Sequence, residues 1–344
     1  GELSAQVYQS FADFQVVLLV IMGTYPNASQ IQQKAEHHKM NKKKVDVVIP
    51  VYHPGSEFKK LMERLERQTY EVNRIFLMHT TDGQSLESMK ERYKNVTVEE
   101  ITPDEFDHAA TRDKGIRQSD ADIVICMTQD ACPDNEYLVS ELVQALEEAN
   151  VAVAYARQLP RKESTLLERY TRQFNFPPES KVKSSKDLER MGIKTFFCSD
   201  VCAAYNRDMY LKNGGFEKKA IFNEDMIYAA KVIENEQKVY YNAKARVIHS
   251  HNYNFAQQFH RNFDMAVSQA QHPEIFRKVS SEKEGMKLIK NTVAFLIKQR
   301  RPWLVFKLFT DCVAKYAGYL LGRKYQKLPK KIVLKCTMNP RYWT

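Results

Sequence analysis

Carboxylates and imidazoles recur in this 344-residue chain in short polar runs, each placed directly after an apolar segment. Tyr52 and His53 follow VDVVIPV, Thr80-Thr81-Asp82 follows IFLMH, and Asp104, Asp107 and His108 follow VTVEEI. Thr128-Gln129-Asp130 follows DIVICM; farther on come Asp200, then Asn223-Glu224-Asp225, then His249-Ser250-His251. Hard oxygen ligands such as Asp130, helped by an imidazole, suit Mg²⁺ or Mn²⁺ bound to a diphosphate. His249 and His251 stand two apart at a strand end, so both point to one face; that favours a joint role, with a lone metal-binding histidine the safer reading. The chain has neither GxGxxG nor GxxxxGK[ST], so no glycine-rich loop cradles a phosphate and a nucleotide would need the metal. Arg157 and Arg161 flank RQLPR, where a guanidinium can hold a diphosphate or a sugar hydroxyl. Each group also has a plainer alternative. Acids between a strand and a helix are ordinary caps, a histidine can be a satisfied polar contact, and loop arginines can be solvated.

Such residues act together only if a scaffold gathers the strand ends. Val45–Val51 is short, β-branched and nearly all apolar, which reads as a strand buried on both faces. Ser56–Gln68 carries Phe58, Leu61, Met62 and Leu65 at helical spacing, with Ser56 as candidate N-cap. The pattern then predicts a strand at Ile75–His79, a helix at Leu86–Tyr93, a strand at Val96–Ile101, a helix at Ala109–Ser119 and a strand at Asp122–Thr128. Asn135–Ala149 reads as a helix and Val151–Ala156 as a strand. Residues 160–195 read as an irregular polar excursion and a candidate lid. Phe196–Tyr205 and Val239–Ile248 read as later strands around a helix at Asp225–Glu234. The alternation implies an α/β fold with an open, doubly wound, mostly parallel, Rossmann-like sheet. Ligands of such sheets bind at the carboxyl ends of the strands.

From Asn254 the texture is helical. Phe255, Phe259, Phe263, Val267 and Ala270 share one face. Trp303, Phe306, Phe309, Val313, Tyr316 and Leu320 share another, with Lys307, Lys315, Arg323 and Lys324 around it. A helical cap on the sheet and a basic amphipathic surface for anionic lipid both fit, and both can hold on opposite faces. Charge agrees with the second: between Arg277 and Lys335, 16 lysines and arginines face three acids, net +13, whereas the whole chain is +10. Nucleic acid is not expected as a partner, because these aromatics at helical spacing suit a membrane or a core better than base stacking. Six scattered cysteines without a CxxC pair argue against a zinc site and weakly for a reducing compartment. Residues 14–23 offer about ten apolar positions, where roughly 20 are needed to span a bilayer.

The order and spacing of VVIPVY (47–52), FDHAATRDKG (106–115), TQDA (128–131), RQLPR (157–161), GGF (214–216), NED (223–225) and HSHNY (249–253) resemble glycosyltransferase family 2. TQDA, RQLPR, HSHNY and the tail GYLLGRKYQKLPKKIV (318–333) resemble, within it, the bacterial rhamnosyltransferases. The likeness runs from about Val45 to the C-terminus. It implies a GT-A fold and an inverting transfer of L-rhamnose from dTDP-β-L-rhamnose to a polysaccharide or lipid-linked acceptor. The expected place of action is the cytoplasmic face of the cell membrane, with the protein peripheral on it. By the same likeness Pro50, Val51 and Tyr52 line the base pocket, Asp82 lies near the nucleoside and Arg112 lies against the nucleotide. Asp130 is the metal ligand of the DxD element, and Asp225 matches the catalytic base. His108, Gln129, Arg157, Asp200 and Glu224 join these as candidate substrate-binding residues.

The sequence departs from the family pattern at three places. His79 stands where an Asp usually reads the base, Thr128 replaces the first Asp of DxD, and Asp113 stands where many relatives have Asn. One carboxylate is left for the metal, so His249 or His251 would complete its shell. Inverting displacement at an anomeric carbon also needs a general base on the acceptor hydroxyl, opposite the leaving diphosphate. Glu224 and Asp225 begin a helix and point about 100° apart, so one can face a cleft while the other packs or pairs. The alternatives are another family 2 transferase with a different nucleotide sugar, a sugar-nucleotide pyrophosphorylase, or a basic nucleic-acid-binding protein. VYHPGSEF after the first strand counts against the pyrophosphorylase, which would carry a glycine-rich phosphate loop there. The expected division is residues 1–39 as a leader, extension or expression-derived segment, 40–253 as the transferase domain, and 254–344 as a helical, basic, membrane-associating region.

Overall fold

The computed structural model describes residues 42–277 and 282–343, so the N-terminal segment 1–39 set apart above lies outside the described residues. One nine-stranded sheet organises the chain. Strands β1 (Val45–Val51), β2 (Arg74–Thr80), β3 (Val96–Ile101) and β4 (Ile123–Met127) pair in parallel in the order β3-β2-β1-β4. β4 is buried at every residue and β1 at all but Pro50, as a sheet covered on both faces requires. Helices α1 (Ser56–Glu66), α2 (Glu87–Arg92) and α3 (His108–Gln118) make the crossovers. α1 buries Phe58, Leu61, Met62 and Leu65. α3 lies so close to β1 that a Cβ on Gly115 would come within 2.6 Å of Val48. Glycine lets the helix sit there, and that seat fixes His108 and Arg112 near the strand ends.

Beyond β4 the sheet changes direction. β8 (Cys202–Asn206) runs antiparallel to β4, and β6 (Val151–Leu159) antiparallel to β8. β9 (Lys238–Ile248) runs parallel to β6 and pairs with the short antiparallel strands β5 (Cys132–Pro133) and β7 (Lys181–Lys183). The amino end of β8 therefore lies beside the carboxyl ends of β4, β6 and β9. Asp130, Asp200 and His249 are carried to one rim by this reversal.

Helices α4 (Leu138–Ala145), α5 (Leu166–Asn175), α6 (Arg207–Lys212) and α7 (Glu224–Glu234) complete the sheet region. Four details differ from the sequence reading. Ser56 is the first residue of α1, with Gly55 at the cap and no side-chain cap bond. α4 is shorter than Asn135–Ala149, because the Asn135 side chain accepts from the Tyr137 amide and closes a turn before the helix. The Phe196–Tyr205 run is a strand only from Cys202. Its first half turns, because the Asp200 amide donates to the Asp225 carboxylate instead of a ladder partner. The excursion at 160–195 holds α5, β7 and short helical turns. Thr165 caps α5, the Glu168–Arg172 pair braces it, and Tyr170 stacks on Phe295 at 4.3 Å. Those helix signals are hidden in a run dominated by charge.

The C-terminal helices α8 (Phe255–Gln271), α9 (Glu282–Lys298), α10 (Leu304–Arg323) and α11 (Lys330–Cys336) follow. α8 buries Phe263, Ala266 and Val267. α10 meets it through Ala314, Gly318 and Gly322, where the carbonyls of Phe259 and Phe263 leave no room for a Cβ on either glycine. The large apolar residues of α10 lie on the opposite side. After α11 the chain returns to α8, where Thr337 Oγ1 and the Met338 amide donate to the Asp264 carboxylate at 2.6 and 2.8 Å.

Candidate active site

Three metal-ligating side chains converge on the sheet rim. Asp130 Oδ2 lies 3.5 Å from His249 Nε2 and 3.3 Å from His251 Nε2, and the two Nε2 atoms are 3.0 Å apart. Ligands held about 2.1 Å from one ion sit about 3.0 Å apart at right angles and about 3.4 Å apart in a tetrahedron. The triangle fits one divalent ion with its remaining positions open. The tautomer fits as well. Gln158 Oε1 accepts from His249 Nδ1 at 3.1 Å, while Gln158 Nε2 donates to Ser199 Oγ at 2.8 Å and Arg172 also donates to Oε1. The proton on His249 therefore sits on Nδ1, leaving the Nε2 lone pair aimed at the triangle. Burial pushes His249 down to about 3 and also lowers His251, so both imidazoles are neutral ligands at neutral pH. Burial alone would raise Asp130, but the two imidazoles as they take up protons in acid, with Thr128 and Arg161, outweigh it and hold the carboxyl low.

A second ionisable cluster lies at the start of α7. Asn223 adopts a left-handed conformation, φ 64°, and turns the chain into the helix. Glu224, the next residue, is buried and pairs with Arg112 at 3.3 Å. Arg112 also lies 3.7 Å from Asp200, whose other oxygen accepts from the Tyr205 hydroxyl. Asp225, half-buried, accepts from the Asp200 amide at 3.1 Å and from the Met226 amide at 2.7 Å. Two carboxyl groups thus share one guanidinium, and Asp225 is tied to them through the Asp200 amide. Burial, with Glu224 and Asp200 adding, raises Asp225 well above the ordinary carboxylate range. Burial likewise pushes Asp200 up to about 7, against the pull of Arg112.

Beside these clusters opens a cleft of about 500 Å³, lined by Arg112 of the second and by Gln129, the neighbour of Asp130. Pro50, Val51, Tyr52 and Gln129 form its strand-end wall, and His108 and Arg112 its helical wall. Gln129 joins β1 to β4: its Oε1 accepts from the Tyr52 amide at 2.9 Å and its Nε2 donates to the Tyr52 carbonyl at 2.7 Å. Asp107 caps α3, accepting from the amides of Ala109 and Ala110, and leaves His108 to the cleft. Of the residues singled out from the sequence, Asp82, Arg157, Asp200, Glu224, Asp225 and the Asp130, His249 and His251 triangle are not among the cleft-lining residues. The Asp82 side chain is enclosed and accepts from the amides of His53 and Gln84, with His79 Nε2 3.4 Å away. Arg157 Nε donates to the carbonyl of Phe176, at the end of α5. Arg161 is spent on Asp130, donating to its carbonyl at 2.9 Å.

Sequence reasoning missed the far wall of the cleft. It is built from Phe222 before α7, Arg261 on α8, and Met338 and Asn339 after α11. No local spacing marks these residues, because the return of the C-terminal region to the rim brings them there. Gln158 was also missed, although its place inside RQLPR was a usable signal.

Residues 46–214 match glycosyl transferase family 2. The chain is 34% identical over 302 residues to the O-antigen chain rhamnosyltransferase RfbN of Salmonella typhimurium, covering 87% of this chain and 96% of that one. The chain belongs to glycosyltransferase family 2. It is a glycosyltransferase. A second relative, the O-antigen chain rhamnosyltransferase WbaN of Salmonella anatum, is 33% identical over 300 residues, covering 86% of this chain and 95% of its own. Solved structures agree on the GT-A fold. The mannosyltransferase PcManGT from Pyrobaculum calidifontis, in complex with GDP-Man and Mn²⁺, superposes with a TM-score of 0.53 at 15% identity, covering 88% of this chain and 83% of that one. TarS 1–349 of S. aureus, in complex with UDP-GlcNAc, gives 0.50 at 12% identity, covering 83% and 91%. Within this glycosyltransferase the two ionisable clusters flank the strand ends, where α/β sheets bind ligands.

Proposed function

We propose that this glycosyltransferase moves L-rhamnose from dTDP-β-L-rhamnose, with inversion, to a hydroxyl of an O-antigen-type polysaccharide precursor or lipid-linked acceptor. The sugar is supported by the two O-antigen chain rhamnosyltransferases that match nearly the whole chain. The chemistry is supported most by one observation: Asp130, His249 and His251 form an ion-sized triangle on the sheet rim, and Asp130 follows the cleft-lining Thr128 and Gln129. These three residues would hold Mg²⁺ or Mn²⁺, with the two imidazoles favouring Mn²⁺ over Mg²⁺. When bound, the ion neutralises charge on the donor diphosphate. Pro50, Val51 and Tyr52 receive the nucleoside. Asp225 takes the proton from the acceptor hydroxyl as its oxygen attacks the anomeric carbon, and burial raises its proton affinity, as that task requires. Glu224 and Asp200 act through Arg112, which fixes the acidic cluster against the helical wall.

The acceptor end of the reaction belongs at an anionic membrane surface. Trp303, Phe306, Phe309, Val313, Tyr316 and Leu320 are 42–74% exposed along α10, opposite the face that packs on α8. The stripe falls within the basic sequence stretch from Arg277 to Lys335, and each lysine or arginine near an anionic membrane surface contributes about 1 kcal/mol. No helix among the described residues is long and apolar enough to cross a membrane. Changing Lys298, Arg300, Arg301, Lys324 and Lys331 to Gln should weaken binding to phosphatidylserine vesicles while activity on a short soluble acceptor survives. Equal loss of both would make the region structural instead.

The donor assignment is tested by nucleoside diphosphate release from a panel of dTDP-, UDP- and GDP-sugars with a lipid-linked glycan acceptor. Release with dTDP-rhamnose alone is expected. Turnover of a different sugar would keep the fold and discard the rhamnosyl reading.

A further inference from the structure

The arginines around the cleft differ in what already holds them. Arg112 is paired with Glu224 and Asp200, and Arg161 with Asp130. Arg261, on α8, makes no ion pair or hydrogen bond to a described side chain or carbonyl and is held by aromatic faces instead. Its guanidinium carbon sits 4.6 Å from the centre of the Phe222 ring and 5.5 Å from that of Tyr253. Tyr253 in turn stacks on His251, 5.2 Å away and tilted by only 26°. Arg261 lines the same cleft as Pro50, Val51 and Tyr52, and the Tyr253 ring links it to His251 of the triangle. Its positive charge also reaches His251, where it adds to the lowering that burial causes.

This mounting has a chemical consequence. Aromatic faces orient a guanidinium without using its five N–H donors. A half-buried cation held this way has no ion-pair partner among the described residues, and a planar fork matches phosphate oxygens in pairs. We propose that Arg261 binds the diphosphate of the nucleotide-sugar donor from the side opposite Asp130, completing a clamp whose other jaw is the metal site. The proposal rests on the reading of the cleft as the donor site and adds a residue to it. In the reaction the bond between the anomeric carbon and the diphosphate oxygen breaks, the electron pair stays on that oxygen, and the acceptor proton passes to Asp225. Negative charge therefore grows on the diphosphate as it leaves, and a fixed guanidinium is worth most at that moment.

The test is calorimetric titration of the full chain, with Mn²⁺ present, using the nucleoside diphosphate that wild type binds among dTDP, UDP and GDP, beside its monophosphate. Arg261→Gln should weaken the diphosphate by about 10–100-fold and the monophosphate by much less. Arg261→Lys, which keeps the charge and loses the fork, should fall between Gln and wild type. It also serves as the second variant if Gln alters the thermal melt. Unchanged diphosphate affinity, or equal loss of both ligands, would overturn the clamp while leaving the donor site standing. A wild type that binds none of the three diphosphates would overturn the donor-site reading, and the clamp with it.

Discussion

Two clusters of ionisable side chains flank one cleft, and burial drives them toward opposite uses. At the start of α7, Asp200 and Glu224 share a single guanidinium with Asp225 beside them, and burial raises Asp200 and Asp225 toward their protonated forms. At the end of β9, one carboxylate meets two imidazoles. Burial there keeps the rings neutral, while Asp130 stays ionised because its neighbours outweigh the same desolvation. The difference is in partners rather than depth. Acids crowded against acids become proton acceptors with raised affinity, whereas an acid between imidazoles becomes a ligand. The first cluster is suited to take a proton and the second to hold a cation.

The largest effect expected to separate them is on turnover. Asp225→Asn should lower kcat by about 10²–10⁴-fold, the range of general-base catalysis, with donor affinity by calorimetry near wild type. Equal loss of donor binding would merge the two clusters into one. Next is the support of the imidazole cluster. Gln158→Leu removes the acceptor that holds the His249 proton on Nδ1, so Mn²⁺ affinity should fall by about 10–100-fold, read by electron paramagnetic resonance. Unaltered Mn²⁺ affinity would mean the ring is oriented by something else.

The smallest effect is on stability and sharpens the acidic side. Asp200, pushed up to about 7 from an ordinary value of 3.8, binds its proton more tightly in the folded chain than in the unfolded one. That stabilisation is full below about pH 4 and is lost as pH rises through about 7, about 4 kcal/mol at most. Asp200→Asn stays neutral throughout, so metal-free protein carrying it should lose less unfolding free energy than wild type between pH 5 and pH 8. Urea titrations with the same pH slope for both proteins would contradict this.

Much of the positioning frame was legible because strands and crossovers leave local marks. The apolar runs at Val45–Val51 and Val96–Ile101 coincide with β1 and β3 to the residue. The spacing of His249 and His251 marked a shared face, and the two rings do meet. What stayed hidden is non-local. The antiparallel entry of β8 carries Asp200 to the rim, and Asp200 N–H leaves the ladder to reach Asp225, which ended the strand read at 196–205. Arg261, Phe222 and Asn339 line the cleft through the return of α8 and the C-terminal segment, a contact that no periodicity announces. The exposed stripe on α10 was visible as a pattern, but its exposure depends on Gly318 and Gly322 taking the packing role on the other side.

The most direct measurement of the division between the clusters is Mn²⁺-dependent donor binding and turnover, measured side by side in wild type, Asp130→Ala and Asp225→Asn. The account predicts a crossed pattern. Asp130→Ala loses the Mn²⁺-dependent part of binding, and Asp225→Asn binds donor with Mn²⁺ as wild type does yet releases almost no nucleoside diphosphate in the presence of acceptor. Mn²⁺-dependent binding that survives Asp130→Ala, or full turnover by Asp225→Asn, would contradict it.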